Sequence, residues 1–450
     1  MKIFLLLLCL LPLSACSTRD YDTAGQGILS ESEIREQYAI DREWWKLYRN
    51  ETLDHLVALA LERNTDLARS AVRVNQALYR ARQLKADLVP SFSGSGEASS
   101  SLQTDSGDST RRFDASLGLN YELDLWGRLR SSASAQAWEY RATEEDREAT
   151  RLALVNSVVN TYFSMARTRQ ELTLSRENLN FYKRLYALTS AKFRAGKIDG
   201  LDPAQAEQRL QQQHSSLLAL EDQLREEEQT LRDLLDLRPE DGLDTSAPDL
   251  LSVSVPPVDL NVPLAALGAR PDVKAAEFRV KSGWKDYRAA RESLFPTLTV
   301  GGALGVSSPS SGTLFTTPFL NGFINLSLPF LDWNRVKCDV RISEEAFNDS
   351  LLAFRQALTK ALNEVALYRG LLGTAFQQLT TAEKTYAAGQ RVEAYRKARY
   401  ELGADELKDW LDALQVRNSA RLSVLDAKYA LIADTNAVFQ AMGGRIHAGN

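Results

Sequence analysis

The residues that could do chemistry are few, and their spacing does not serve catalysis. His55, His214 and His447 are scattered through 450 residues, with no HExxH, Walker loop, GxSxG elbow or dinucleotide fingerprint. No catalytic, cofactor or metal site is expected. Two places do carry a pattern. Cys16 follows Leu13-Ser14-Ala15 at the end of an apolar stretch of 11 residues, 3–13, that lies behind Lys2. Such a stretch is too short to span a bilayer as a helix but fits an export signal, whose ordinary cleavage site has a small residue where this chain has a thiol. The second place is the crowd of carboxylates Asp405, Glu406, Asp409 and Asp412 after Gly403. Acids at a helix start are favoured by the helix dipole, and that reading alone accounts for them.

The first pattern resembles the lipobox of bacterial lipoproteins, in which the cysteine takes a diacylglyceryl thioether, becomes the mature first residue and is N-acylated. Several acyl chains, at about 0.8 kcal/mol per buried methylene, anchor stably. Ser17 follows; in that class an Asp there favours inner-membrane retention, so outer-membrane lipid is the expected partner of acylated Cys16. An ordinary signal with a chance cysteine is the alternative. Removal of 1–15 and acylation of Cys16 leave Cys338 as the one free thiol, so no intrachain disulfide can form. A net charge of -5 gives no basic excess for nucleic acid, and after the signal there is no apolar run long enough for a transmembrane helix. A membrane crossing, if there is one, must be made by strands.

The elements that must position these residues are written twice. Asn64-Thr65-Asp66-Leu67 opens a helix that runs into Leu88-Val89-Pro90-Ser91-Phe92, and Arg270-Pro271-Asp272-Val273 opens one that runs into Leu294-Phe295-Pro296-Thr297-Leu298, 206 residues later. Leu125-Trp126-Gly127-Arg128 returns as Asp332-Trp333-Asn334-Arg335, and Phe193-Arg194-Ala195-Gly196 as Tyr400-Glu401-Leu402-Gly403, both at 207. Each half reads helix, strand, strand, long helix, Gly turn, helix. The expected organisation is a signal over 1–15, an anchored segment over 16–50, a first repeat over 51–237 with strands near 91–104 and 112–125, a linker over 238–263, a second repeat over 264–443 with strands near 295–306 and 319–330, and a tail over 444–450.

Over 113–125 apolar side chains occupy every odd position, and Asp114, Glu122 and Asp124 share the even face with Ser116, Gly118 and Asn120. Strict period two sets one face in an apolar medium and the other in a polar one, and the three carboxylates suit a wet lumen. A soluble β-sandwich alternates likewise, but here two isolated hairpins stand between long helices. Four strands cannot close a barrel, and lipid does not tolerate open edges. The chain must therefore oligomerise. Of the smallest multiples, 8 or 12 strands, only the larger leaves a sizeable lumen, so closure by three copies is expected.

Leu351, Leu358, Val365, Leu372 and Leu379 recur by sevens, with Phe354, Ala361, Tyr368, Ala375 and Ala382 in the second seam, and Leu210, Leu217, Leu224 and Leu231 repeat the spacing. The 65 residues of 130–194 hold neither Pro nor Gly and would extend roughly 98 Å as one helix. That length suits a structure bridging the periplasm. Asp202-Pro203 reads as an N-cap followed by Pro at the first helical position.

These elements, with LxPSF or LFPTLT entering each hairpin and LDLWGR or LDWNR leaving it, resemble the TolC-like outer-membrane efflux proteins over nearly all of the mature chain, nearest to the lipoprotein branch paired with resistance-nodulation-division pumps. The resemblance implies a mainly helical homotrimer whose 12-stranded β-barrel continues into a 12-helix α-barrel, working with a periplasmic adaptor and an inner-membrane efflux pump. It implies a periplasmic gate in the second repeat, where Tyr400, Gly403, Asp409, Leu411, Asp412 and Ala413 match the family's YxxGxxxxxDxLDA tip. Six carboxylates from Asp409 and Asp412 of three copies would ring the entrance and favour cations. Asp405 departs from the pattern, because some members place there an Arg that clamps the closed tip. The function expected is passive efflux of drugs or other small toxic solutes. Exit of a protein or peptide from a type I secretion system, and a non-spanning periplasmic coiled-coil lipoprotein, are the alternatives.

Overall fold

The computed structural model describes residues 38–105, 109–258, 264–310, 313–316 and 318–448. The signal and Cys16 lie outside the described residues. Two copies of one unit build the chain. In the first, α1 (Glu51–Arg63) and α2 (Thr65–Ala86) lead into β2 (Ser91–Leu102) and β3 (Ser109–Leu123), then α3 (Arg128–Arg194) and α4 (Leu201–Leu234). In the second, α5 (Pro271–Glu292) leads into β4 (Thr297–Ser308) and β5 (Pro318–Ser327), then α6 (Trp333–Glu401) and α7 (Leu407–Ala441). Helices α2 and α5 have 22 residues each, α3 and α6 have 67 and 69, and α4 and α7 have 34 and 35. The two longest reach roughly 100 Å.

Backbone chemistry sets the ends. Asn50 and Asn64 cap α1 and α2, accepting from the N–H groups of Leu53 and Leu67 at 2.9 and 3.0 Å. Gly196 and Gly403 end α3 and α6 with φ of 69° and 71°. Each completes a Schellman turn: Lys197 N–H donates to Lys192 O at 3.0 Å, and Ala404 N–H to Arg399 O at 2.9 Å. Helix α4 begins at Leu201, two residues before the start expected from Asp202-Pro203. Asp199 accepts from Leu201 N–H at 3.0 Å, which places Asp202 and Pro203 inside the first turn. There the missing N–H of proline still goes unneeded.

The strands form one antiparallel sheet in the order β2-β3-β4-β5, with β2 and β5 as its edges. A second sheet pairs β1 (Tyr38–Asp41) with β6 (Arg445–Ala448), tying the two ends of the described chain together. Beside it lies the largest apolar core, where Trp44, Tyr48, Leu53 and Val57 meet Val155, Val158, Phe163, Leu231, Ile432 and Phe439. The segment between the repeats is packed into this core rather than slack, since Leu250 is fully buried and Leu243, Val253 and Val255 lie against it. A second core joins α5, α6 and α7 through Val280, Phe354, Ala361, Val365, Leu372, Leu431 and Val438, the heptad positions among them. Leu172, Leu179 and Leu217 zip α3 to α4.

Where α5 packs on α3, Asp286 keeps an exposed surface but is shielded on its protein side and faces the charge of Glu139. Burial first, and then the neighbouring carboxylate, push the Asp286 carboxyl up to about 6. A raised carboxyl stabilises the fold below its unfolded value near 3.8, and that stabilisation is lost as pH rises through 6. Asp286→Asn should therefore raise stability at pH 8 by roughly 1 kcal/mol, after discounting for solvent screening, and change it little at pH 4. Thermal unfolding at the two pH values checks this.

Candidate channel wall and gate

The register of the sheet sorts its side chains into two faces. On one, Phe92 lies across from Leu119, Leu117 from Leu304, Tyr121 from Val300, Val300 from Ile324, and Leu304 from Leu320. These side chains are not covered by protein: Phe92 is 82%, Leu320 79% and Ile324 74% exposed. A contiguous apolar face of this size needs an apolar medium. From Leu123 to Phe113 it rises roughly 26 Å at the usual strand tilt, the height of an outer-membrane barrel's apolar band. Trp126 marks its foot, stacked on Phe295 at 4.9 Å and donating its indole N–H to Pro296 O at 2.8 Å. Trp333 and Phe330 are exposed nearby in sequence at the equivalent point of the second repeat. Amphipathic aromatics suit such a boundary.

The other face carries Ser91, Ser93, Ser95, Glu97, Asn120, Ser116, Asp114, Thr299, Asn321 and Asn325. Asp114 sits here between Glu97 and Ser307. Glu122 shares the face, but its carboxylate is bound by Arg128 at 2.7 Å. The expected lumenal role of Asp124 is corrected. The strand ends at Leu123, and Asp124 accepts from Leu129 N–H, Arg130 N–H and Arg130 Nε at 3.1, 3.0 and 2.9 Å. It caps α3. Although burial opposes this, those donors hold its carboxyl below the usual range.

At the far end of the helices, Tyr400 of α6 stacks on Trp410 of α7 at 5.3 Å, and Lys192 Nζ of α3 lies 3.5 Å from the Tyr400 hydroxyl. Trp410 also meets Phe181 edge-on and donates to Glu393 Oε1 at 2.9 Å. These aromatics pin α7 to both α3 and α6. Asp409 is exposed in the first turn of α7. Asp412, one turn on, is paired with Arg209 of α4 at 3.3 Å, so the two acids of the expected ring are not equivalent. Asp405 is not at the entrance as an open carboxylate. Arg396 and Arg399, on the last turns of α6, grip it at 2.9 and 2.7 Å, its side chain is 5% exposed, and the two guanidiniums hold its carboxyl below the usual range. The acid stands where a cation is expected because this chain supplies the cations from its own preceding helix.

The sequence does not show which helices pair through their amides. Helices α3 and α7 run antiparallel and meet through amides: Asn156 donates to Gln440 at 2.6 Å, Asn436 to Asn160 at 2.8 Å, and Asn418 to Asn178 at 2.7 Å. The two numbers of each pair add to the same total, 596, so one register serves the whole seam. Asn436 also accepts from the Tyr48 hydroxyl at 2.7 Å and is fully buried. Asn160 to Asn178 and Asn418 to Asn436 are each 18 residues, five helical turns; that matched spacing is the signal by which the sequence could have shown it.

An open-edged sheet with an apolar outer and polar inner face, set on helical hairpins roughly 100 Å long, defines the protomer of a TolC-like outer-membrane channel. The chain belongs to the outer membrane efflux protein family, which matches it over residues 56–236 and 262–444, once per repeat. It is 37% identical over 414 residues to toxin and drug export protein A of Aggregatibacter actinomycetemcomitans, covering 92% of this chain and 90% of that one. To the pyoverdine export outer membrane protein OpmQ of Pseudomonas putida it is 30% identical over 463 residues, covering 97% of each. The crystal structure of the Campylobacter jejuni CmeC outer membrane channel superposes with a TM-score of 0.83 at 25% identity, covering 95% of this chain and 93% of that one. Among the described residues, no helix is long and apolar enough to cross a membrane and no cluster of His, Cys, Asp and Glu could hold a metal ion.

Proposed function

We propose that the protein is the outer-membrane exit duct of a tripartite efflux assembly. The observation that carries this is the sheet with its order β2-β3-β4-β5, uncovered apolar face and two unpaired edges. Unpaired backbone groups in hydrocarbon cost several kcal/mol each, so β5 of one copy must pair with β2 of the next until the ring closes. Three copies give 12 strands and a lumen lined by the polar face. Below it the α3/α4 and α6/α7 hairpins form the periplasmic conduit. An adaptor and an inner-membrane pump deliver small toxic solutes to its tip, and Tyr400, Gly403, Asp409 and Asp412 belong to the gate.

Opening follows the line of least cohesion. The pairs α3/α4 and α6/α7 are each zipped by apolar side chains, whereas between the core at Phe163 and Phe439 and the Phe181–Trp410 contact α3 meets α7 through paired amides. The second hairpin swings along this polar seam, and its amide pairs fix the closed register. Acylated Cys16 anchors the duct. The 22 residues from Cys16 to Tyr38 can extend roughly 73 Å, more than the ~40 Å of α3 between its membrane end at Arg128 and the core at Val155. Cys16→Ala should abolish incorporation of labelled palmitate and leave the trimer intact, because the barrel holds it in the membrane.

The name of the Aggregatibacter relative favours one second reading, export of a protein or peptide. A deletion strain separates the two. Increased sensitivity to several small toxic compounds with an unchanged set of secreted proteins supports solute efflux; loss of a secreted protein with unchanged sensitivities overturns it.

A further inference from the structure

Two side chains break the character of the polar sheet face. Phe319 and Phe323 of β5 lie there, four residues apart, amid hydroxyls, amides and carboxylates. Each lies directly across from a glycine of β4, Gly305 and Gly301 respectively. The fit is close. A Cβ at Gly305 would come within 2.5 Å of Phe319 Cζ, and one at Gly301 would collide with Phe323 Cζ and approach Asn120 Oδ1 to 2.8 Å. The far end of each ring therefore rests over a glycine, so the ring reclines across β4 instead of standing into the lumen. Both rings remain about half exposed, at 45% and 46%.

The register also places carboxylates beyond each ring. The row of Phe319 and Gly305 continues through Ser116 to Ser95, and the next row outward holds Ser307, Asp114 and Glu97. Inward of the row of Phe323 and Gly301 come Asn325, Thr299 and Glu122. Rows two residues apart are roughly 7 Å from one another. Glu122 is neutralised by Arg128, and Arg112 lies two residues from Asp114 on the same face. Asp114 on β3 and Glu97 on β2, directly opposite each other, remain the main negative charge on this face; they lie one row outward of Phe319, two and three strands from β5, whereas the carboxylate in the row next to Phe323 is the Arg128-paired Glu122. An aromatic face attracts cations and stacks with planar rings, and nearby carboxylates attract cations of any shape.

We propose that this wall is a specificity surface for planar organic cations, with Phe319 and Phe323 supplying the ring platforms and Glu97 and Asp114 the charge. The proposal rests on the channel reading, because it needs the polar face to line a lumen. Glycine beneath a cross-strand aromatic also stabilises a sheet without any ligand, so the variant must keep the cover and remove the π-face. Phe319→Leu with Phe323→Leu does this.

The test is current through the full-length protein in planar bilayers, in an Asp409→Ala background, blocked by ethidium or by tetraethylammonium, which carries the same charge without planar rings. The double leucine variant should need about tenfold more ethidium for half-block, with conductance and tetraethylammonium block unchanged. Glu97→Gln with Asp114→Asn should weaken block by both cations. Ethidium block that survives the leucine substitutions, or block by both cations falling equally, overturns the proposal and leaves the channel reading intact. Absence of current from every variant overturns both.

Discussion

Alanine at Asp409 is expected to open the periplasmic entrance to ions and to weaken its block by divalent cations by roughly tenfold. A divalent ion about 6 Å from one carboxylate in water is held by roughly 1.4 kcal/mol, a factor of ten in affinity, and three copies present three such groups. Asp409 is the exposed acid of the pair. Asp412 is compensated by Arg209 at 3.3 Å, so Asp412→Ala should change block less than twofold by the same reckoning. Arg209→Ala should strengthen block, because it frees the Asp412 carboxylates. Single-channel recordings with magnesium on the periplasmic side check the series. A larger effect from Asp412→Ala than from Asp409→Ala would return Asp409 to the plain role of an acid at a helix start.

The second large effect is expected at the amide seam. With Cys338 replaced by serine, Asn160→Cys and Asn436→Cys place two thiols where the native amides touch at 2.8 Å. Bridging them with a short bifunctional thiol reagent should abolish current in the Asp409→Ala background and stop export by cells. A reductant that cleaves the bridge should restore both. The unbridged double cysteine should conduct, since it leaves α3 and α7 unlinked, at the expense of the Asn160–Asn436 and Tyr48–Asn436 hydrogen bonds. Full current through the bridged protein would show that α3 and α7 do not part on opening.

Much of the architecture was legible because the repeat and the two periodicities are local properties of the chain. The offset between Asp66 and Asp272 and the alternation over 113–125 need no tertiary information. The heptads gave Phe354, Ala361, Val365 and Leu372, all buried. What was not legible depends on which elements meet. Asp124 alternates in step with Asp114 and Glu122, and nothing local shows that the strand stops one residue earlier and that its carboxylate turns to the N–H groups of α3. Asp405 looks like one of four entrance acids until Arg396 and Arg399 are seen folding back to it. The glycine partners of Phe319 and Phe323 emerge only from the register of β4 with β5. The amide seam joins residues 240 to 284 positions apart in the chain, so a local reading sees only polar residues on two helices.

On this reading the apolar-faced sheet is one third of a closed pore. The most direct test of that reading is to extract the full-length protein in mild detergent, measure its mass, and record conductance after reconstitution of the Asp409→Ala variant. A species of three 50.2 kDa chains, less the signal, that gives discrete current steps in planar bilayers is expected. A monomer that stays soluble without detergent and gives no current from that variant would contradict it.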